Sequence, residues 1–221
     1  MKIKCRIIGF DLDGTLLNSE KHIAEHTREV LTRAVEQGIW ILPVTGRPLG
    51  GLPKEVVEFP GVQYAITANG ARIMETQTGG CLYERLVPVK TAEQIMEIFS
   101  DYDALREVYY GGKGYAEAEE FSRVGEYMRS PQMAVYVRAT RTPVPDILQL
   151  IREKGQDTDK VQGVFKIDEE RTEARKRLEA VEGIEVTGAL SNNIEVNAAG
   201  VDKGNAILWF ADHLGIPHEE V

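Results

Sequence analysis

Three short runs rich in β-formers, IKCRIIGF (residues 3–10), IWILPV (39–44) and VQYAIT (62–67), each stop on a polar or glycine-containing loop: DLDG, TGRP and ANGA. That recurrence constrains the fold more than any other feature. The first run alternates through Ile3, Cys5 and Ile7 and is then continuous to Phe10, as in a strand buried on both faces of a parallel sheet. Between the first two runs, Ile23, Val30, Leu31, Ala34 and Val35 fall near helical spacing and Gly38 supplies a stop. This predicts an amphipathic helix over 23–37 that covers a sheet face. Strand, helix, strand, loop, strand is the βαβ rhythm of a doubly wound, Rossmann-like α/β domain.

Beyond Gly79 and Gly80 the pattern changes. A helix is expected at TAEQIMEIF (91–99), a hairpin at VYYGGKGYAEA (108–118) and a further β-rich run at MAVYVRAT (133–140). A helix follows at VPDILQLIREKG (144–155), a strand at VQGVFKID (161–168), a highly charged helix at 169–183 and a pair of strands at IEVTGALSNNIEV (184–196). This is a mixed α+β block, placed at residues 84–188 and inserted into a core made of 1–83 and 189–221. The last element, GVDKGNAILWFADHLG (200–215), is a helix with Ile207, Phe210, Ala211 and Leu214 on one face.

The chain is acidic, with 26 Lys and Arg against 35 Asp and Glu for a net charge of -9. A broad nucleic-acid surface needs clustered positive charge and is disfavoured. Small anionic ligands remain open where a few cations converge. The 2 cysteines, Cys5 and Cys81, make no disulfide framework, so a reducing cytoplasm is the expected location. No uninterrupted apolar run suits a membrane span.

The polar residues Asp11, Asp13, Thr45, Arg47 and Asn69 all follow the C-terminal ends of the first three predicted strands. Open α/β sheets bind ligands in the crevice outside those ends. In an extended segment residues two apart point the same way, so Asp11 and Asp13 can share one pocket while Leu12 turns into the packing. Two carboxylates so close repel each other, and a divalent cation such as Mg²⁺ would lower that repulsion. An aspartate can attack phosphorus when the phosphate charge is offset and a proton donor stands by the leaving oxygen. Gly14 lets the backbone approach a phosphoryl oxygen, the Thr45 hydroxyl and the Gly46 N–H can hydrogen-bond one, and Lys203 can neutralise it from the start of the last helix. His22 and His26 stand at a zinc-compatible spacing, but no third ligand accompanies them, which favours a solvated helix face.

DLDGTLL, VTGR, TANGA, an inserted α+β block and then NAAGVDKGNAI together resemble the haloacid dehalogenase superfamily, in particular its Cof-type phosphatases, whose large cap lies between the second and third motifs. The resemblance covers nearly the whole chain. It implies a Rossmann-like core with a cap that selects substrate, and Mg²⁺-dependent hydrolysis of a small phosphorylated metabolite such as a sugar phosphate. By the same resemblance Asp11 is the nucleophile, Asp13 the acid and base, and Thr45 and Lys203 the groups that hold the phosphoryl. Asp11 and Asp13 would hold Mg²⁺, the latter through its carbonyl. Leu12, Gly14, Gly46, Arg47, Asn69 and the cap residue Asn193 would line the substrate, with Arg138 and Lys166 as further cap candidates. A phosphomutase with the same early motifs, or a catalytically impaired fragment that only binds phosphorylated ligands, are the alternative readings. The superfamily's fourth motif, an acidic G-D-x-x-N-D sequence after the Lys203 helix, is absent. Its absence predicts a weakly held metal and a bared edge on strand one, covered by self-association or by a neighbouring segment.

Overall fold

A computed structural model describes residues 4–188 and 190–221. Ile3, the first apolar position of strand one, and Ala189, at the expected domain boundary, lie outside the described residues. The chain divides into two compact units, one made of its first 84 residues with 201–221 and the other of 85–200.

In the first unit, β1 (Ile7–Phe10) pairs in parallel with β2 (Trp40–Pro43). A single parallel bridge from Val44 to Ile66 carries the order on to β3 (Tyr64–Thr67). β4 (Arg72–Glu75) and β5 (Cys81–Glu84) then run antiparallel. Helices α1 (Glu25–Glu36) and α2 (Lys54–Val57) bring Leu31 and Val56 into a core with Leu12, Ile41, Phe59 and Val62. A second core, built on Ile7, Leu42, Val44, Ile66 and Ile73, receives Ala206, Phe210 and Ala211 of the chain's last α-helix (Lys203–His213).

Two glycines let that last helix come close. A Cβ at Gly9 would lie 2.3 Å from Ile207 Cδ1, and one at Gly70, which has a φ of +109°, would lie 2.3 Å from the Asp202 carbonyl oxygen. The start of the helix is therefore seated directly on the turn that follows β3.

Two expectations for this unit change. The first helix starts at Glu25, and Val30 faces solvent at 42% exposure. β1 meets a core on each face, Ile7 in one and Phe10 against the other, but is less buried than expected: Ile8 and Phe10 are half-buried and Gly9 is exposed. The reason is its place in the sheet, since among the described residues β1 pairs with β2 alone. Just ahead of it, the Arg6 N–H donates to the Glu220 carbonyl at 2.7 Å.

The second unit is built on a six-stranded sheet. Its strands are β6 (Ala104–Tyr110), β7 (Lys113–Glu117), β8 (Arg141–Val144), β9 (Lys160–Phe165), β10 (Ile184–Thr187) and β11 (Asn193–Ala198), in the order β10-β11-β9-β6-β7-β8. Every pairing is antiparallel except β7 with β8. Helix α3 (Val89–Ser100) packs on β6 and β9 and against α6 (Ile147–Lys154) and α7 (Asp168–Leu178). Two further helices, α4 (Ala118–Ser122) and α5 (Pro131–Thr140), complete the unit, and the helix Lys203–His213 becomes α8. Because β11 lies between β10 and β9, the unit boundary falls after Gly200 rather than after residue 188.

The β-rich run 133–140 is helix α5. Ser130 caps it by accepting the Met133 N–H at 3.2 Å, and Pro131 takes the first helical position. These start signals outweigh the β-branched residues, of which Val135 stays 67% exposed. No described helix is long and apolar enough to cross a membrane.

Candidate active site

The loop after β1 is held from below by apolar side chains. Leu12, Leu16 and Leu17 are buried in the core, and main-chain bonds from Leu16 to the Asp11 carbonyl (3.1 Å) and from Leu17 to the Leu12 carbonyl (2.9 Å) close the turn. Asp11 and Asp13 are left facing outward, with side chains 44% and 42% exposed. The Leu12 N–H donates to Asp11 Oδ1 at 2.7 Å, which fixes that carboxylate's rotation. Leu12 thus serves through its backbone and its packing. Its side chain is fully buried, because alternation along the segment points it inward. Gly14 and Thr15 lie exposed in the same turn.

The loops after β2 and β3 are laced together. The Val44 N–H donates to the Phe10 carbonyl (2.8 Å), Thr45 to Ile66 (2.9 Å), Ala68 to Arg47 (3.0 Å) and Asn69 to Thr45 (3.0 Å). Asn69 adopts a left-handed conformation (φ 65°), which asparagine tolerates better than most residues. Thr45 is buried, and its Oγ1 accepts the Arg47 N–H at 3.2 Å, leaving the hydroxyl proton to donate elsewhere. Gly46 is half-buried between them.

Arg47 reaches back to the first loop. Its Nε donates to Asp13 Oδ2 at 2.9 Å and its Nη2 to Oδ1 at 2.8 Å, a two-pronged fork, while Nη1 donates to the Gly51 carbonyl at 3.0 Å. Lys203, seated by the packing of α8, places Nζ 2.9 Å from Asp11 Oδ2.

One site residue escaped the sequence. Lys21 Nζ lies 2.9 Å from Asp13 Oδ1. Asn18 directs it: its Oδ1 accepts the N–H groups of Glu20 (3.0 Å) and His22 (2.9 Å), and its carbonyl accepts that of Lys21 (3.0 Å). Lys21 sits at the tip of this turn with φ 66°. Asn-Ser-Glu-Lys reads as a turn, but nothing in the sequence says toward which group the lysine is thrown.

Burial pushes the Asp13 carboxyl up, but the hydrogen bonds and charges of Arg47 and Lys21 more than offset it and hold it below the usual carboxylate range. Asp13 is therefore kept ionised. The proximity of the two acids is compensated by three cations drawn from three separate segments.

Asn193 belongs to the other unit. It is buried at the start of β11, where Nδ2 donates to Glu195 (3.0 Å) and Oδ1 accepts the Leu190 N–H (2.9 Å). Lys166 pairs with Glu126 and Asp103, and Arg138 is exposed. His22 pairs with Glu55 (3.1 Å), which also accepts from Ile23 and Arg28 and ties the turn to α2.

Paired acids and converging cations at the ends of parallel strands are groups that can handle a phosphoryl group. The profile of the haloacid dehalogenase-like hydrolases matches residues 8–221, and the chain belongs to that family. The 5-amino-6-(5-phospho-D-ribitylamino)uracil phosphatase YcsE of Bacillus subtilis is 25% identical over 99% of this chain and 76% of its own length. A stronger but shorter likeness, 32% over 107 residues, spans 47% of this chain and only 35% of the Bacillus subtilis protein YxeH. Among solved structures, a haloacid dehalogenase-like hydrolase from Bacteroides thetaiotaomicron superposes with a TM-score of 0.78 at 24% identity, over 99% of this chain and 80% of its own. The subclass IIB sugar phosphatase BT4131 does so at 0.75 and 18%, over 97% and 78%. These structures share the fold.

Phosphatases of this family generally use Mg²⁺. That ion seeks near-octahedral oxygen coordination with carboxylate support. Among the described residues no group of three His, Cys, Asp or Glu side chains is placed to hold a metal. Asp13 already takes three N–H donors from Arg47 and Lys21, and Asp11 faces Lys203. These residues by themselves do not fit the ion.

Proposed function

We propose that the chain hydrolyses small phosphomonoesters in two steps through Asp11. The observation that carries this reading is the Asp11 carboxylate: half-exposed at a strand end, oriented by the Leu12 N–H and neutralised by Lys203 at 2.9 Å. In the first step an Asp11 oxygen bonds to phosphorus in line with the leaving group, the ester P–O bond breaks, and Asp13 gives its proton to the departing alkoxide. Lys203 and the Thr45 hydroxyl stabilise the charge on the phosphoryl oxygens. In the second step the Asp13 carboxylate takes a proton from water. The water oxygen bonds to phosphorus, and Asp11 leaves as inorganic phosphate forms.

The fork from Arg47 favours the ionised Asp13 that the second step requires. Protonation for the first step asks that Arg47 or Lys21 loosen its hold. Residues 85–200 would select the leaving alcohol. The phosphoribityl group in the name of YcsE and the sugar phosphatase among the structural neighbours favour a polyol or sugar phosphate. Its two free cysteines suit a reducing cytoplasm. The outer edge of β1 is where a second copy of the chain would pair.

Phosphate release from a panel of phosphomonoesters tests the reading. Turnover by the chain and its loss in Asp11→Asn are expected, whereas an active Asp11→Asn would refute the covalent route. Transfer to a second sugar hydroxyl instead of water would make the enzyme a mutase.

A further inference from the structure

Among the described residues of the first unit, the paired charges of the candidate site are not balanced. Two carboxylates, Asp11 and Asp13, face three cations, Lys203, Arg47 and Lys21, all within 2.8–2.9 Å of an acid. The surplus is positive. A divalent cation entering here would meet three like charges and find both carboxylates already paired, whereas an oxyanion would restore neutrality.

The three cations are not equivalent. Arg47 is 15% exposed and spans Asp13 and the Gly51 carbonyl, so it acts as a strut. Lys21 and Lys203 are 53% and 40% exposed, each ammonium carries three N–H donors, and each spends one on an aspartate. Their other donors can exchange water for oxyanion oxygens with little desolvation. Lys21 is moreover placed by the Asn18 turn, whose bonds fix the main chain on either side of it and leave the ammonium exposed.

We propose that this site takes a phosphoryl oxyanion directly on Lys203 and Lys21 without a divalent cation, Lys21 supplying the positive charge that a metal would otherwise bring beside Asp13. The proposal rests on reading the site as a phosphoryl site and adds a ligand residue outside the motifs that define it.

Titration of inorganic phosphate into the full chain in EDTA, and again with excess MgCl₂, followed by calorimetry, tests it. Phosphate is expected to bind in EDTA, with Mg²⁺ changing the affinity by less than about threefold. Lys21→Gln should weaken binding about tenfold, the scale of one charge-assisted hydrogen bond, and Lys21→Arg should restore most of it. Because Lys21 is exposed, both variants should unfold at the parent temperature, which guards against loss of binding through misfolding. Binding only with Mg²⁺, or an unchanged affinity in Lys21→Gln, overturns the proposal and leaves the phosphoryl site standing. No phosphate binding in either condition overturns both.

Discussion

Close ion pairs occur in both units, and they do opposite things. In the first unit Asp11, Asp13 and Lys203 are each about half exposed, so water can reach them and a ligand can displace it. In the second, one face of the six-stranded sheet carries Glu107 and Tyr109 on β6, Gln162 and Lys160 on β9, Glu195 on β11 and Arg141 on β8, all buried. Glu107 meets Arg141 at 3.2 Å and the Tyr109 hydroxyl, and Lys160 meets Glu195 at 3.0 Å. Both cations lie over the Tyr109 ring, 4.9 and 4.8 Å from its centre. The contrast teaches that distance alone does not say what a pair is for. Exposure decides whether its charges are available to a ligand or locked into the sheet.

Substitutions should separate the two kinds of pair. Asp11→Asn is expected to lower kcat by about 10³-fold or more while leaving the thermal midpoint nearly unchanged, because the lost charge is hydrated. Removing one partner of the buried pair should do the reverse. Glu107→Gln strands the Arg141 charge and should lower stability by roughly 3–5 kcal/mol in denaturant melts, and Glu107→Leu with Arg141→Met should recover much of it. Equal loss in the single and double variants would contradict the charge argument.

A smaller effect tests how Lys203 is placed. Gly70→Ala sets a Cβ against the Asp202 carbonyl at a φ of +109° and should cost about 1–3 kcal/mol and lower turnover, since α8 must shift. Gly9→Ala meets side chains rather than backbone, the flexible tip of Ile207 at 2.3 Å and Val44 Cγ2 at 3.1 Å, and keeps an ordinary φ, so it should cost less. If Gly9→Ala proves the more damaging for turnover, the seat of α8 is misassigned.

The smallest effect concerns pH. The Tyr127 hydroxyl, with Lys166 and Arg123, holds the Asp103 carboxyl below its usual range. A depressed folded value adds stability above the unfolded value of about 3.9, and that stability is lost as pH falls through the folded value. Urea midpoints measured from neutral pH downward should therefore fall more steeply below about pH 4 in the parent than in Asp103→Asn. Asp103 is partly exposed and screened by solvent, so the difference should be slight.

Most of the first unit was legible because its signals are local. β-rich runs ending on Asp-Leu-Asp-Gly, Thr-Gly-Arg and Ala-Asn-Gly name both the strands and the residues at their ends, and parallel pairing brings those ends together. Most helices and strands of the second unit were equally readable, from the hairpin turn at Gly111 and Gly112 to the stop at Gly155. Two readings failed where a local preference met a competing one. Residues 133–140 are rich in β-branched and aromatic side chains, but Ser130 and Pro131 start a helix. β1 is less buried than its apolar run implies because periodicity records apolar content, and whether a second partner strand arrives depends on the rest of the fold.

By itself the sequence determined the βαβ order, the identity of the two acids and the positions of Thr45 and Lys203 at element ends, because strand period, glycine placement and helix starts are properties of a few neighbouring residues. Tertiary structure decided how those acids are compensated. Arg47 lies 34 residues from Asp13 and Lys203 lies 192 from Asp11. Only packing could bring them within hydrogen-bonding distance. Lys21, 8 residues away, needed the conformation of the Asn18 turn to aim it. Coulombic partnership depends on separation in space, and no spacing along the chain encodes that.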